Sequence, residues 1–187
     1  ASGTAMGAII GKASGNTALG AIIGAAVGGT AGALIGNKMD KQAEELEKEL
    51  ENATVLINLA GKSVDCRYTK KNKKEILLSR IESTKILNKA VLNCQNPPRH
   101  WLNSSTSTIY RFSLDKQMDE AEGEIGNDFS INVALSWEKA FFKTETPNTL
   151  KTALRTSIVL GKNGGALIPL KTLAKIGFGG KQGKGNQ

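Results

Sequence analysis

Small and hydroxyl-bearing residues are concentrated where three predicted strands end, at positions 60–63, 104–110 and 156–165. In a parallel α/β sheet, ligands bind beyond the carboxyl ends of the strands, so side chains of this kind would line the ligand crevice. Small residues let a ligand approach the backbone, and hydroxyl groups can hydrogen-bond to phosphate, ribose or carbonyl oxygens. The sequence therefore indicates a nucleotide crevice at this edge.

The elements that position these residues alternate along the second part of the chain. The run TVLINLAG (54–61) lacks alternation and predicts a short strand covered on both faces by helices. The apolar spacing then predicts a helix over 70–93, a strand beginning at WLNSSTSTIY (101–110), a helix over 130–144, a strand over 152–160 and a helix over 166–176. This β-α-β-α-β-α order predicts a right-handed parallel α/β sheet.

The first part of the chain follows a different pattern. GAIIG occurs at 7–11 and 20–24, and GALIG at 32–36 repeats it. A glycine recurs at every fourth position: Gly20, Gly24, Gly28, Gly32 and Gly36. Such spacing aligns glycines on one helix face, where a second helix can approach closely. We therefore predict a glycine-zipper helical hairpin over 1–36, with these five as helix-packing residues.

The hairpin prediction leaves its partner open. The uncharged stretch 17–36 is long enough for a bilayer, although its glycines make it weakly apolar. Residues 7–36 could enter a membrane, self-associate through helices, or pack only on themselves. A charged helix over 37–52 follows and is predicted to be a solvated stalk, which leaves 53–187 as the α/β domain.

Charge and cysteine content argue against several function classes. The net charge is +8: residues 1–54 carry 4 basic and 6 acidic side chains, a balance of −2, and residues 55–187 carry 21 and 11, a balance of +10. Few aromatic residues interleave with these cations, so we expect no nucleic-acid partner. Cys66 and Cys94 lack metal-ligand spacing, which favours two free thiols and no metal site. His100 has no triad partners in view and is predicted to be structural or solvated.

The two parts resemble different families. GAIIGKASGNTALGAIIG through AELEKELEN is similar to the glycine-zipper front of bacterial OmpA-like envelope lipoproteins, over about residues 3–48. INLAGKSVDCRYT, NSSTSTIYR, MDEAEGEIGNDFS, WEKAF and LRTSIVLGKNGGAL resemble the atypical epimerase family of extended short-chain dehydrogenase/reductases, from about residue 50 onward. We interpret the chain as a fusion of an envelope anchor with an enzyme truncated at both ends.

The resemblance implies a fold, a cofactor and a substrate class. It implies a partial Rossmann-like parallel sheet of three β-α units, preceded by the all-α hairpin and the charged helix. NAD or NADP would be the cofactor, and an unidentified sugar-like small molecule would be the substrate. The epimerase-like part would be cytoplasmic and the glycine-zipper part would lie at the envelope membrane, so the two expected localisations conflict.

Site residues are carried over by position. Asn58, Ala60 and Gly61 resemble the motif that lines the cofactor crevice, and Ser104 is assigned to cofactor binding with them. Thr106 falls where the family places a hydroxyl near the substrate carbonyl, with Ser105 beside it as a second catalytic candidate.

Two departures affect the expected chemistry. Val133 and Trp137 occupy the places of a catalytic Tyr and Lys, which puts ordinary epimerase chemistry in doubt. The first βαβ unit, which would carry GxxGxxG for the pyrophosphate, is not recognised, so dinucleotide binding is expected to be weak or lost.

We reject the glycine ladder as a phosphate loop because it is predicted to lie inside a continuous helix. The remaining candidates for phosphate contact are GKNGGA (161–166) and GGKQGKGNQ (179–187), which we interpret as loops. Without a first strand, the strand at 54–60 should expose an apolar edge.

Overall fold

The computed structural model describes residues 9–11, 20–23, 33–159, 161 and 167–180. Within them, one sheet contains five strands in the order β1-β2-β3-β4-β5. The first pair is antiparallel and the other three pairs are parallel. The strands are β1 (Ile9–Gly11), β2 (Gly20–Ile23), β3 (Val55–Asn58), β4 (His100–Thr106) and β5 (Leu150–Thr156).

Helices alternate with the parallel strands. They are α1 (Ala33–Leu50), α2 (Lys70–Asn93), α3 (Phe129–Phe142) and α4 (Leu167–Leu173), which continues into a π-helical turn (Ala174–Phe178). Side-chain caps fix two of the starts: Thr69 accepts from the backbone N–H of Asn72, and Asp128 accepts from that of Ile131. The predicted α/β class and its three β-α units are confirmed.

Burial along β3 corrects the expectation of a strand covered on both faces. Leu56 and Asn58 are buried, whereas Val55 and Ile57 are half-buried. The buried residues face a single core cluster to which α1, α2, α3, β3 and β4 all contribute. In the described part of the chain, one face of the sheet is therefore packed more completely than the other.

Within the predicted helical hairpin, residues 9–11 and 20–23 form strands, which corrects the all-α expectation there, whereas 33–36 belong to α1. Gly20 lies in β2 and pairs with Val55, so it is not on a helix face. Gly36 lies in α1, and Gly24, Gly28 and Gly32 are outside the described residues. The physical reason is that adjacent isoleucines favour strands and the edge of β3 offers unpaired backbone groups. The ladder is thus not one continuous helix.

The same pairing corrects the expected exposed edge at 54–60, because β2 covers one side of β3 over its full length. Strand β2 at 20–23 precedes α1, so the predicted continuous helix no longer argues against a phosphate loop within the ladder. The segment between them lies outside the described residues.

The charged helix is packed, not a solvated stalk. Ala43 and Leu50 of α1 are fully buried, and Met39 and Leu46 pack against the same core. These four positions recur at spacings of three and four and form one apolar stripe beneath the charged residues. At the end of α1, the Glu51 carboxylate accepts hydrogen bonds from the backbone of the segment that follows α2. The helix therefore connects the parallel strands β2 and β3 as part of the α/β core.

No helix among the described residues is both long enough and apolar enough to cross a bilayer.

The thiol of Cys94 is buried, with Sγ 3.2 Å from the carbonyl oxygen of Ala90. Burial, with Glu51 and Glu47 nearby, raises the pKa of that thiol to about 11, so it is protonated at neutral pH. Cys66 is also a free thiol.

Lys151 ties the end of α3 to β5 and α2. Its Nζ donates to the backbone oxygens of Phe141 and Thr144 at 2.8 and 2.6 Å, and to Oδ1 of Asn88 at 2.7 Å. The ammonium also lies 5.0 Å from the ring centroid of Trp101. Removal from water lowers the pKa of Lys151 to about 8 from an ordinary value of 10.5.

This shift predicts a pH-dependent stability difference. Because the folded pKa lies below the unfolded one, the unfolded chain binds more protons between pH 8 and 10, and stability from this group rises with pH. The free energy of unfolding of the wild type should therefore increase relative to Lys151→Met across that window, measured by urea denaturation. Cys94 acts in the opposite direction in both proteins and cancels. A difference that shrinks from pH 8 to 10 would contradict the assignment.

Candidate functional site

The carboxyl ends of β3, β4 and β5 meet at one edge of the sheet. Asn58, the last residue of β3, pairs in register with Asn103, and Thr106 at the end of β4 pairs with Thr156 at the end of β5. Strands β4 and β5 thus extend three residues beyond β3. The predicted candidate residues at 58–61 and 104–106 are brought to the same edge, as the parallel order requires.

A buried amide network shapes the turn after β3. The side-chain amide of Asn58 donates to Oδ1 of Asn103 at 2.6 Å, and Oδ1 of Asn58 accepts from the backbone N–H of Ala60 at 3.0 Å. Thr84 of α2 adds a longer contact to the same amide and accepts from the indole N–H of Trp137 at 2.9 Å. Asn58 therefore fixes the backbone of Ala60 from a fully buried position.

Gly61 allows a cation to lie against the turn. A Cβ added at this position would stand 2.9 Å from the guanidinium carbon of Arg80. Ala60 is buried, so the turn presents backbone and small side chains at the strand edge. Such a surface fits the close approach of a ligand, as the family resemblance implies for these positions.

The three hydroxyl residues at the end of β4 have different environments. Ser105 is buried, and its hydroxyl donates to the Glu138 carboxylate at 2.5 Å. Thr106 is half-buried, and its hydroxyl oxygen accepts from the backbone N–H of Thr108, which caps the 3₁₀ turn Ser107–Ile109. Ser104 is half-buried. Thr106 is therefore more accessible to a ligand than Ser105, which is engaged with a carboxylate.

An ion pair that we did not predict stabilises this strand edge. Arg155 of β5 holds both carboxylate oxygens of Glu138 through Nε and Nη2, at 3.0 and 2.9 Å, and its Nη1 donates to the Tyr110 hydroxyl at 2.7 Å. Burial tends to raise the pKa of Glu138, but the hydrogen bonds from Arg155 and Ser105 outweigh it and lower that pKa. Glu138 is therefore a charged anchor for Ser105 and Arg155.

An open cavity of about 650 Å³ adjoins this ion pair. The side chains that line it are mostly polar and carry both signs of charge, and they include Tyr110, Arg111, Lys116, Asp119 and Arg155. Gly123 leaves room for the Tyr110 ring, because a Cβ added there would stand 2.4 Å from it. The cavity suits a polar ligand with hydroxyl or charged groups.

Helix α3 offers no proton donor or acceptor at the two positions of the expected Tyr/Lys pair. Val133 and Trp137 are both buried. The indole of Trp137 instead connects α3 to Thr84, and Arg80 lies over its ring at 5.2 Å. Within the described residues, no group of three or more potential metal ligands is assembled. Of the two loop candidates for phosphate contact, only positions 161, 179 and 180 fall in the described part.

Sequence reasoning did not single out Arg80, Tyr110, Glu138 or Arg155. Three of them stand inside motifs that were quoted for the family resemblance: NSSTSTIYR, WEKAF and LRTSIVLG. An acidic residue in a largely apolar helix and a basic residue in a strand were a signal for a buried pair. Their partners are far apart in the chain, so only the fold identifies the contacts.

Comparisons with known proteins agree with this architecture. The chain is 32% identical over 148 residues to the epimerase family protein SDR39U1 of the mouse (Mus musculus). The aligned region covers 78% of this chain and 50% of the relative. It is 34% identical over 141 residues to the epimerase family protein SSP1921 of Staphylococcus saprophyticus, with 75% and 47% coverage. The α/β part of this chain is homologous to the epimerase family.

Solved structures place the same fold in that family. The human epimerase family protein SDR39U1, crystallised with NADPH, matches with a TM-score of 0.67 and 31% identity, covering 78% of this chain and 50% of that one. A nucleoside-diphosphate sugar epimerase from Corynebacterium glutamicum matches with a TM-score of 0.56 and 30% identity, covering 74% and 28%. The chain spans about half the length of the curated epimerase-family relatives it matches.

The first part of the chain matches a different family model. A model described as a glycine zipper covers residues 1–43, which agrees with the repeat seen in the sequence. That range extends into α1, whose later turns are packed in the core of the epimerase-like part.

Proposed function

We propose that this chain contains part of the dinucleotide-binding domain of an NAD(P)-dependent, nucleotide-sugar-epimerase-like protein, without a recognisable GxxGxxG unit. The observation that carries the proposal is the strand edge itself, where the Asn58-held turn of Ala60 and Gly61 lies beside the hydroxyl end of β4. The relative solved with NADPH supports a nicotinamide cofactor. The small residues of the turn fit such a ligand, because they let its ribose or phosphate groups reach the backbone.

The residues of this edge have separate proposed roles. Ala60, Gly61 and Ser104 would contact the cofactor, which supplies hydride-transfer chemistry when bound. Thr106 would hydrogen-bond to a substrate carbonyl. Ser105 would position the strand end through Glu138. With Val133 and Trp137 on α3, no side chain at those positions can move a proton, so we propose that epimerase turnover is impaired or absent.

Titration with NADPH tests the proposal. No strand-GxxGxxG-helix unit is recognised in the sequence, and we therefore expect a dissociation constant above about 100 µM, where the binding free energy is modest. Nicotinamide fluorescence or calorimetry would measure it. A constant of a few micromolar would contradict the impairment, and the absence of saturable binding at about 5 mM would contradict dinucleotide binding.

Paired substitutions separate the roles of the two candidate catalytic hydroxyls. Ser105→Ala should lower the free energy of unfolding by about 2 kcal/mol, because it removes a hydrogen bond to a buried carboxylate. Thr106→Val keeps the side-chain shape and removes a half-exposed cap, so it should cost less than about 1 kcal/mol. Urea denaturation measures both. A larger cost for Thr106→Val would reverse the assignment of Ser105 as the structural residue.

A second candidate function follows from the glycine-zipper match to residues 1–43. In this alternative, the chain is a structural protein that associates with the envelope membrane through residues 7–36. Flotation of the full chain with anionic and neutral vesicles tests it, and a high-salt wash controls for charge attraction by the +10 part. Recovery only in the unbound fraction under both conditions would reject this function.

A further inference from the structure

Arg80 of α2 is a partly buried cation that no carboxylate of the described chain pairs with. Its Nη1 donates to the backbone oxygens of Lys62 and Ile76 at 3.1 and 3.0 Å, and its guanidinium lies 5.2 Å from the centre of the Trp137 ring. Burial lowers its pKa, although an arginine remains charged at neutral pH. These contacts hold the guanidinium in one orientation.

The opposite edge of this guanidinium is available for a ligand. Nε and Nη2 of an arginine form a planar fork that matches two oxygen atoms of a carboxylate or phosphate. In Arg155 the same fork is filled by Glu138. In Arg80, Nε and Nη2 have no hydrogen-bond partner among the described residues. Neither nitrogen is fully buried, so a ligand can reach them.

Two acidic side chains on the helices that carry Arg80 and Trp137 already have cationic partners. Glu75 of α2 pairs with Lys62 and lies near Lys71. Glu138 pairs with Arg155. Among the described residues, the Arg80 guanidinium therefore keeps a positive charge that no carboxylate neutralises, which favours an incoming anion.

The fork lies at the strand edge that carries the candidate site. Arg80 packs on Gly61, where a Cβ would stand 2.9 Å from its guanidinium carbon. One turn further along α2, Thr84 connects the same Trp137 to Asn58. The cation is thus fixed beside the turn that leaves β3, and the lack of a side chain at Gly61 is what gives it room.

We propose that Arg80 binds an oxyanion of a small-molecule ligand, a phosphate or a carboxylate, at the turn after β3. The oxyanion has two possible sources: the dinucleotide, or a second ligand that carries a phosphate or carboxylate. Only the first source rests on the proposed function. Binding is by a two-point hydrogen-bonded ion pair, so it depends on the fork as well as on the charge.

Calorimetric titration of the full chain with inorganic pyrophosphate, and separately with NADPH, tests this site. Arg80→Gln should weaken pyrophosphate binding at least about tenfold, because a charge-assisted pair contributes more than a neutral hydrogen bond. Arg80→Lys keeps the charge without the fork and should also weaken it, by less. The matched control is Arg99→Gln, an exposed arginine at the opposite end of β4, which should leave the affinity unchanged.

The outcomes distinguish the two sources. Parallel losses of pyrophosphate and NADPH affinity assign the oxyanion to the dinucleotide, whereas loss of pyrophosphate affinity alone assigns it to a second ligand. If the wild type binds pyrophosphate but not NADPH, the proposed function fails and the oxyanion site stands. Wild-type affinity in Arg80→Gln, or no wild-type binding at about 10 mM pyrophosphate, overturns the site.

A measurement on the unmodified sequence covers the case in which Arg80→Gln does not fold. Phenylglyoxal modifies accessible arginines, and peptide mass spectrometry reports each one. Pyrophosphate should slow the modification of Arg80 severalfold and leave that of Arg99 unchanged. Equal rates at Arg80 with and without pyrophosphate would also overturn the proposal.

Discussion

Replacing Arg155 with methionine will lower the free energy of unfolding by about 3 kcal/mol, since breaking a buried ion pair leaves an uncompensated charge. The Glu138 side chain is only 11% exposed and that of Arg155 is 25% exposed, so water can replace the lost contacts only in part. Without the guanidinium, Glu138 keeps the hydrogen bond from Ser105 alone. Urea denaturation at pH 7 measures the loss.

The stability lost in Arg155→Met should depend on pH. In the wild type the pKa of Glu138 is lowered, so the stabilising contribution is present above its ordinary value of 4.5 and is lost as pH falls. In Arg155→Met, burial opposes the charged form, so the difference in stability between the two proteins should narrow from pH 7 to pH 4.

Arg111→Met is the matched control for the loss of an arginine. It breaks the Arg111–Glu124 pair, whose side chains are 39% and 47% exposed, and should destabilise the protein much less than Arg155→Met because water replaces the lost contact. Equal losses in the two variants would show that the Glu138–Arg155 pair is no more than a surface contact.

Replacing Asn58 with alanine will cost about 3 kcal/mol, because it leaves Oδ1 of Asn103 and the backbone N–H of Ala60 without their protein partner. Asn58 and Asn103 are both fully buried, so the loss cannot be repaired by bulk water. The turn that carries Ala60 and Gly61 should also loosen, and any NADPH affinity of the wild type should fall with it.

A double-mutant cycle sharpens this prediction. Because Asn58 and Asn103 share one hydrogen bond, the double variant should lose less stability than the sum of the single losses. Asn96→Ala, which removes an exposed hydrogen bond to Glu51, is the control and should cost less than about 1 kcal/mol. Additive losses at 58 and 103 would contradict a shared buried contact.

These two networks explain how the strand edge can be ordered without the Tyr/Lys pair expected of the superfamily. Trp137 connects α3 to Thr84 and Asn58, and Glu138, the next residue, connects α3 to β4 and β5. Adjacent residues of α3 thus hold the ends of three strands, β3, β4 and β5, from one helix. The edge is fixed by structural contacts, and we propose that Thr106 and the Arg80 fork contact a ligand there.

The sequence by itself determined the β-α alternation from position 54 onward. The predicted helix over 70–93 has the observed bounds, and the other predicted elements lie within a few residues of the observed ones. These assignments depend on a local signal, the spacing of the apolar residues. Parallel strands carry their carboxyl ends to the same edge of the sheet, so Asn58 and Thr106 could be placed on one edge.

Only the tertiary structure decided the partners of ambiguous segments. The same Ile-rich, Gly-rich residues at 20–23 suit a helix or a strand by local pattern, and pairing with β3 selects the strand. The charges of α1 suggested a solvated stalk, but its narrow apolar stripe is buried against α2 and β3. The contacts of Glu138 with Arg155 and of Arg80 with Gly61 join residues 17 and 19 positions apart, and such pairs depend on packing that no local spacing specifies.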